Sequence, residues 1–192
     1  LEDFDAAVEE LWETDGLIID QRMNLGGVVP FIDYGFPLLF DEDIDPLVEF
    51  HERDPDSGDY TTLSLDYVAW LDADESTYYD HPIAVLTGPK SGSAGDLCPY
   101  LLAHHARSRS FGRATNGAFG ELLPVWYPYD PYVSDMSAKL TRAQMVSEAG
   151  DHLNAWEQTP DEEIWFNADD AAAGVDTVFQ AALEWVQAEN AQ

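Results

Sequence analysis

The stretch Ile83-Ala-Val-Leu-Thr-Gly-Pro-Lys-Ser-Gly-Ser-Ala-Gly-Asp96 carries the strongest structural signal in the 192-residue chain. Its first five residues form an apolar, partly β-branched run that is typical of a buried strand. Gly88 to Gly92 supply the small residues of a tight loop. Residues 94 to 106 then repeat apolar side chains at helical spacing. The stretch therefore predicts a strand, a loop and a helix in succession.

A second strand-and-loop unit lies upstream. Residues 2–14 place apolar side chains three and four positions apart, which indicates an amphipathic helix that Asp15-Gly16 ends. Residues 17–20 then read as a short buried strand leading into the turn-rich sequence Gln21-Arg-Met-Asn-Leu-Gly-Gly27. In α/β folds, small residues on loops that follow buried strands are common in functional sites.

The rest of the chain completes a mixed pattern of helices and strands. Between residues 30 and 79 we expect irregular structure with one short helix near residues 45–51. The other predictions are strands at 108–113 and 164–166, an antiparallel ribbon pairing 122–127 with 139–146, and a last helix at 176–188. This order predicts a single α/β domain over residues 1–192, with a mixed sheet and flanking helices.

The chain is strongly acidic, with 38 Asp and Glu against eight Lys and Arg and a formal charge of -30. Such a charge disfavours nucleic acid and anionic membranes as partners. The acidic residues are scattered along the sequence, which indicates a property of the whole surface and is typical of adaptation to high salt. No apolar run reaches the roughly 18 residues of a membrane span. The acidic start lacks a basic signal peptide, so a cytoplasmic location and export after signal removal both stay open.

Cys98 is the only cysteine, which excludes an internal disulfide and cysteine-rich metal sites. It lies among leucines and is predicted to be a small buried hydrophobic residue. The carboxylates lack the spacing of known metal-binding loops, so clusters such as residues 41–45 are interpreted as solvated faces. No metal or other cofactor is predicted.

Ser93 stands where the predicted loop meets the predicted helix. A serine in that position has an exposed hydroxyl, nearby free N–H groups and the positive end of a helix dipole, as an acyl-transfer nucleophile requires. A helix-capping interpretation competes with this one, because Asp96 follows three residues later in the spacing of a capping box. On this segment alone, capping is the stronger interpretation.

The two loops together resemble the C-terminal-processing and tricorn family of serine peptidases. In that family a strand ends in an Asp-x-Arg-x-Asn-x-Gly-Gly turn, which residues 20–27 match. A later Val-Leu strand leads to a Ser-x-Gly-Asp turn whose serine corresponds to Ser93. Looser matches are residues 112–117, Pro160-Asp161 and residues 170–176. The resemblance covers most of the chain except residues 30–75.

The resemblance implies a crotonase-like or Clp-protease-like core and serine endopeptidase activity on peptides or unfolded proteins. Ser93 would be the nucleophile, and the amide of Ala94 together with that of Gly26 or Gly27 would form the oxyanion hole. It implies no cofactor and leaves homo-oligomerisation open.

The general base is where this chain departs from the better-known branch of the family. Bacterial and plastid processing peptidases use a lysine whose position corresponds to Ala118, so no Ser-Lys dyad is expected, and Lys90 is interpreted as solvated. The tricorn-like branch uses an upstream histidine and a late glutamate, whose position corresponds to Asn154. We therefore expect this chain to be the C-terminal part of a longer protein whose upstream segment supplies the histidine.

Two further points keep an alternative open. The sequence places none of the five histidines near Ser93; they are His51, His81, His104, His105 and His152. The alternative is a catalytically inactive binding module of the same fold, as in the interphotoreceptor retinoid-binding repeats. Ala118 and Asn154 favour it, and the aromatic residues between 126 and 156 could line an apolar pocket.

Overall fold

The computed structural model describes residues 2–27, 35–44, 48–54, 56–63, 78–118, 122–126, 137–141, 143–147, 150 and 157–190. The α-helices in these residues are α1 (Glu2–Glu10), α2 (Ala94–Leu102), α3 (Ala168–Ala172) and α4 (Thr177–Asn190), and a short 3₁₀ helix covers Phe36–Leu39. The strands are β1 (Leu17–Asp20), β2 (Val48–Arg53), β3 (Tyr60–Leu63), β4 (Ile83–Thr87), β5 (Ser108–Gly112), β6 (Leu122–Trp126), β7 (Ser137–Thr141), β8 (Ala143–Ser147) and β9 (Glu162–Glu163).

A parallel sheet in the order β1-β4-β5-β9 forms the centre of the fold. All five residues of β4 are buried, because helices cover both faces of the sheet there. Ile83 and Val85 pack in one apolar cluster with residues of α1 and α2, whereas Ala84 and Leu86 pack in another with residues of α4. The predicted α/β fold with a sheet between helices is confirmed.

Two antiparallel sheets accompany the central one, in the orders β3-β2-β8 and β6-β7. The ribbon predicted between residues 122–127 and 139–146 is confirmed for β6 and β7. The later part of that segment forms β8, which pairs with β2 instead. The helix predicted near residues 45–51 is wrong where it is described, because residues 48–51 belong to β2. Because β3 and β8 pair with β2 on its two sides, the backbone N–H and C=O groups of β2 are hydrogen-bonded without forming a helix.

Some predicted boundaries shift. α2 ends at Leu102, four residues earlier than predicted, and the amides of His104 and His105 close turns onto Leu101 and Leu102. Pro99 lies in the second turn of α2. The last strand occupies residues 162–163, where it pairs with β5. None of the helices in the described part of the chain is long and apolar enough to cross a membrane.

The last helix, predicted over residues 176–188, is confirmed as α4. Val178, Ala182 and Val186 are buried against the central sheet, as the helical spacing indicated. Phe179, the residue after Val178, is 42% exposed because it lies at the edge of that buried stripe.

Candidate active site

The two loops singled out by the sequence lie side by side at the carboxyl end of the parallel sheet. Asp20 at the end of β1 pairs with Leu86 in β4, so the two chains leave the sheet as neighbours. The Gly92 amide donates to the carbonyl of Asn24 at 2.9 Å, and Ser91 Oγ donates to the carbonyl of Gln21 at 2.9 Å. Ligand sites of α/β folds form at this edge of the sheet.

Ser93 adopts a strained backbone conformation at the start of α2. Its φ of 58° and ψ of -119° make it the one described residue other than glycine with a positive φ. Such conformations cost about 1–3 kcal/mol and persist where the surroundings fix them. The carbonyl of Ser93 accepts the amides of Asp96 at 2.9 Å and Leu97 at 3.3 Å, which anchors the turn to the helix. A serine held this way between strand and helix matches a nucleophile elbow.

The capping-box interpretation of Ser93 and Asp96 is not realised. Ser93 makes no side-chain hydrogen bond to the free amides of α2. Ser93 is partly exposed, and its hydroxyl has no hydrogen-bond partner among the described residues. Asp96 is turned away from Ser93 toward another loop, so the serine hydroxyl is left for a partner outside this turn.

Asp96 organises the loop that follows β5. The residue is 2% exposed, and its carboxylate accepts the amides of Gly117 at 2.9 Å and Ala118 at 3.0 Å. The first turn of α2 also stabilises its negative charge through the helix dipole. The amide of Asn116 donates to the carbonyl of Ser91 at 2.7 Å, which fixes the same loop beside the turn of Ser93. The sequence carried a signal for this role, since Asp96 is the one charge in an otherwise apolar helix.

Replacing Asp96 by asparagine should lower the free energy of unfolding by about 2–3 kcal/mol. The asparagine amide would turn an N–H group toward one of the two backbone donors that the carboxylate now accepts. Asp161→Asn is the matched control, because exposed Asp161 also accepts two hydrogen bonds, from the amide and hydroxyl of Ser110. The control should cost less than about 1 kcal/mol in urea unfolding. Equal losses in the two variants would contradict the assigned role.

The glycine turn after β1 packs directly against Ser93. A side chain at Gly26 would begin 2.5 Å from Cβ and 3.0 Å from Oγ of Ser93. The amide of Gly26 already donates to Asn24 Oδ1 at 2.9 Å. Within the described residues, the amides of Gly27 and Ala94 have no hydrogen-bond acceptor. Of the three predicted oxyanion donors, Gly27 and Ala94 are therefore the two that are free in this conformation.

Asn24 joins the glycine turn to the start of α2. Its Nδ2 donates to Gln21 Oε1 at 2.6 Å, while its Oδ1 and its carbonyl accept the amides of Gly26 and Gly92. A side chain at Gly95 would begin 2.3 Å from the Asn24 carbonyl oxygen, so only glycine allows α2 to approach this closely. The sequence motif contains Asn24, but the role of Asn24 in joining the two segments depends on its contact with Gly95 in the folded chain.

Arg22 anchors the same turn to α4. Its guanidinium makes a bidentate pair with Asp20, at 2.9 and 2.7 Å, and reaches Asp176 at 2.7 Å. The hydrogen bonds from Arg22 hold the pKa of the Asp20 carboxyl below its usual value, and those to Asp20 raise the pKa of Arg22. Asp176 also accepts the amides of Val178 and Phe179 at the start of α4. The turn next to Ser93 is thus held from both sides of the sheet.

The family model for peptidase family S41 matches residues 1–164. The chain belongs to peptidase family S41. This membership confirms the resemblance on which the two loop motifs were matched, and it supports a peptidase function. No curated protein sequence matches the chain significantly.

Solved structures share the fold of this S41 chain at low sequence identity. A candidate peptidase from Parabacteroides merdae has a TM-score of 0.79 at 21% identity, covering 96% of this chain and 56% of that one. Mature CPAF complexed with lactacystin has a TM-score of 0.76 at 18% identity, covering 98% and 46%. The tricorn protease has a TM-score of 0.59 at 20% identity, covering 93% and 15%. The S41 chain spans about half the length of the first two.

No described histidine of the S41 chain contacts Ser93. His81 lies before the amino end of β4 with its ring 5.1 Å from that of Tyr79, at the opposite end of the strand. His104 and His105 follow the carboxyl end of α2, and burial lowers the pKa of His105. His51 pairs with Glu49 in β2. His152 and Asn154 lie outside the described residues.

Ala118, at the position that corresponds to the lysine of the processing peptidases, faces the loop that precedes Ser93. The methyl carbon of Ala118 is 4.0 Å from the point where a side chain at Gly92 would begin. Lys90 is exposed, as predicted, and Cys98 is buried, as predicted. In the part of the chain that the structure describes, no group of three His, Cys, Asp or Glu residues could hold a metal ion.

Proposed function

We propose that this S41 chain is the catalytic core of a tricorn-like serine endopeptidase with Ser93 as its nucleophile. The observation that carries the proposal is the strained turn of Ser93, which meets the Gly26 turn at the amino end of α2. Ser93 Oγ would attack the scissile carbonyl carbon, and the tetrahedral intermediate would expel the amine to leave an acyl-enzyme. Water would then hydrolyse the ester and return the serine.

The amides of Ala94 and Gly27 are the proposed oxyanion donors. Both lack an acceptor within the described residues, and the dipole of α2 adds positive potential at Ala94. Gly26 would support the site indirectly, because its own amide holds the turn to Asn24.

The general base is proposed to be a histidine outside this chain, from an upstream segment of the full-length protein. Two observations support this: the described histidines all lie against other groups, and Ala118 supplies no amine beside Ser93. Asn154 is proposed as a neutral hydrogen-bonding group that orients that histidine.

The proposed substrates are peptides or unfolded proteins. Met23 and Leu25, which flank Asn24, are 68% and 75% exposed beside the nucleophile turn and offer apolar contact area. A side chain at Gly27 would begin in open space, so a peptide backbone could approach this turn closely.

Turnover of quenched fluorescent peptides by the full-length protein tests this function. We expect fragment release through an acyl-enzyme, which accumulates as a burst with ester substrates for which deacylation is the slower step. The competing function, an inactive binding module, predicts saturable binding of an apolar fluorophore without any fragment release. That second result, in a full-length protein that lacks an upstream histidine, would overturn the peptidase proposal.

We further propose that the acidic surface adapts the protein to high salt. The formal charge of -30 produces strong self-repulsion, which salt screens as the Debye length falls from about 10 Å at 0.1 M to about 3 Å at 1 M. The thermal unfolding midpoint should therefore rise by several degrees when KCl is increased from about 0.1 M to about 1 M. A midpoint that stays constant or falls would contradict the adaptation.

A further inference from the structure

Ser91 carries a buried hydroxyl that the proposed chemistry does not use. The residue lies two positions before Ser93 and is 0% exposed, so a substrate cannot reach its side chain. The hydroxyl donates to the Gln21 carbonyl at 2.9 Å and accepts the Gly88 amide at 3.2 Å. These bonds satisfy a polar group at a fully buried position, and they tie it to two other points of the backbone.

The two hydrogen bonds place the Ser91 side chain between the loops that follow β1 and β4. Gly88 starts the turn after β4, and the Ser91 amide closes the same turn by donating to the Gly88 carbonyl at 2.8 Å. Gln21 starts the turn after β1. Ser91 is therefore held in its own loop by reciprocal bonds with Gly88, and it reaches the neighbouring loop through Gln21.

The Gln21 carbonyl connects Ser91 to the glycine turn. This carbonyl also accepts the amide of Asn24 at 2.9 Å. Asn24 Oδ1 in turn accepts the amide of Gly26 at 2.9 Å. A continuous chain of hydrogen bonds thus runs from the Ser91 hydroxyl to the backbone of the glycine turn.

Ser91 also contacts the third loop of the site, because its carbonyl accepts the amide of Asn116 at 2.7 Å. The other hydrogen bond between the first two loops, from the Gly92 amide to the Asn24 carbonyl at 2.9 Å, joins backbone atoms alone. The Ser91 hydroxyl is therefore a link between these loops that a substitution can remove while the backbone bonds stay.

We infer that Ser91 is a positioning residue whose hydroxyl sets the separation between the glycine turn and Ser93. The inference rests on the proposed function, in which the amides of Gly27 and Ala94 bind the oxyanion from the two sides of that separation. Such donors stabilise the transition state only when both lie at hydrogen-bond distance from the developing charge. Close packing of Gly26 against Ser93 prevents a nearer approach of the two turns, and the bond from Ser91 prevents them from moving apart.

Replacing Ser91 by alanine is expected to lower kcat per active site by about 10- to 100-fold and to leave KM within about twofold. The upper value is what a misplacement of about 1 Å at a catalytic group can cost. KM stays because oxyanion donors act on the transition state and not on the bound substrate.

The experiment uses the full-length protein and counts active sites by stoichiometric labelling of Ser93 with a fluorophosphonate. Peptide hydrolysis is then expressed per labelled site. A merely structural loss would reduce the number of labelled sites and leave kcat per site unchanged, whereas a displaced oxyanion donor lowers kcat at every site.

Ser108→Ala is the matched control. Ser108 begins β5 at the opposite end of the sheet, where its hydroxyl donates to the Leu102 carbonyl. This variant also loses a side-chain hydrogen bond between two segments, but its kcat per labelled site should equal that of the unmodified protein. Ser91→Cys is a second variant at the site, because a thiol has a similar shape and is only a weak donor and acceptor. It should fold and lose about tenfold of kcat per site.

The outcomes separate the inference from the function on which it rests. An unchanged kcat per site in every Ser91 variant that folds, an equal loss in Ser108→Ala, or failure of both Ser91 variants to fold would overturn the positioning role and leave the peptidase function intact. Absence of both cleavage and Ser93 labelling in the unmodified protein would overturn the proposed function and the positioning role with it.

Discussion

Replacing Ser93 by alanine is expected to lower kcat/KM for peptide hydrolysis by the full-length protein by about 10⁴-fold or more. Alanine removes the oxygen that would form the acyl-enzyme and keeps every backbone hydrogen bond of the turn. The unfolding midpoint should stay within about 2 °C, because the hydroxyl makes no capping bond to α2. Initial rates and thermal unfolding of the same preparations measure the two effects.

Ser57→Ala provides a control for the loss of a serine hydroxyl. Ser57 is exposed in the turn between β2 and β3, where its hydroxyl accepts the amide of Asp59. This variant should hydrolyse peptides at the unmodified rate. A Ser93→Ala protein that is folded and keeps a tenth or more of the activity would rule out Ser93 as the nucleophile.

Gly26→Ala is expected to lower kcat by about 100-fold or more, because a misplacement of about 1 Å at a catalytic group can cost that much. The added methyl would begin 2.5 Å from Ser93 Cβ and 2.7 Å from the Gly92 carbonyl oxygen. The φ of Gly26 is +97°, which an L side chain adopts at a cost. The glycine turn and the serine must therefore move apart, which displaces the proposed Gly27 donor from the oxyanion.

Gly174→Ala separates steric displacement from backbone strain. Gly174 also has a positive φ, of +76°, but a side chain there would have no atom within 4 Å. It should lose about 1 kcal/mol of stability and keep full activity. Steady-state kinetics on both variants, at equal fractions folded, makes the comparison. Equal kcat values for Gly26→Ala and the unmodified protein would mean that the turn does not position the nucleophile.

The central strand and its loop could be predicted because their signals are local. Residues 83–87 form an almost continuous apolar run because β4 is covered on both faces. The glycines and serines that follow it indicate the turn. β1, β5 and α4 were predicted for the same reason. The motif order then gave the family, which the match over residues 1–164 confirms.

Features that depend on distant partners were not predictable. Residues 48–53 become a strand because β3 and β8 pair with them from both sides, and β8 begins only at Ala143, far along the chain. Asp96 has the spacing of a capping residue, yet its partners are two amides more than 20 residues away.

Fluorophosphonate labelling of the full-length protein, with the adduct mapped by tandem mass spectrometry, tests most directly whether Ser93 is an activated nucleophile. Ser91 is a built-in reference, because it lies two residues away, is fully buried, and uses its hydroxyl to bridge Gly88 and Gln21. Fragment ions distinguish the two serines within one peptide. The predicted result is an adduct on Ser93 of the native protein that disappears in Ser93→Ala and after denaturation. An adduct on another residue, or equal labelling of the Ser93→Ala protein, would contradict the account.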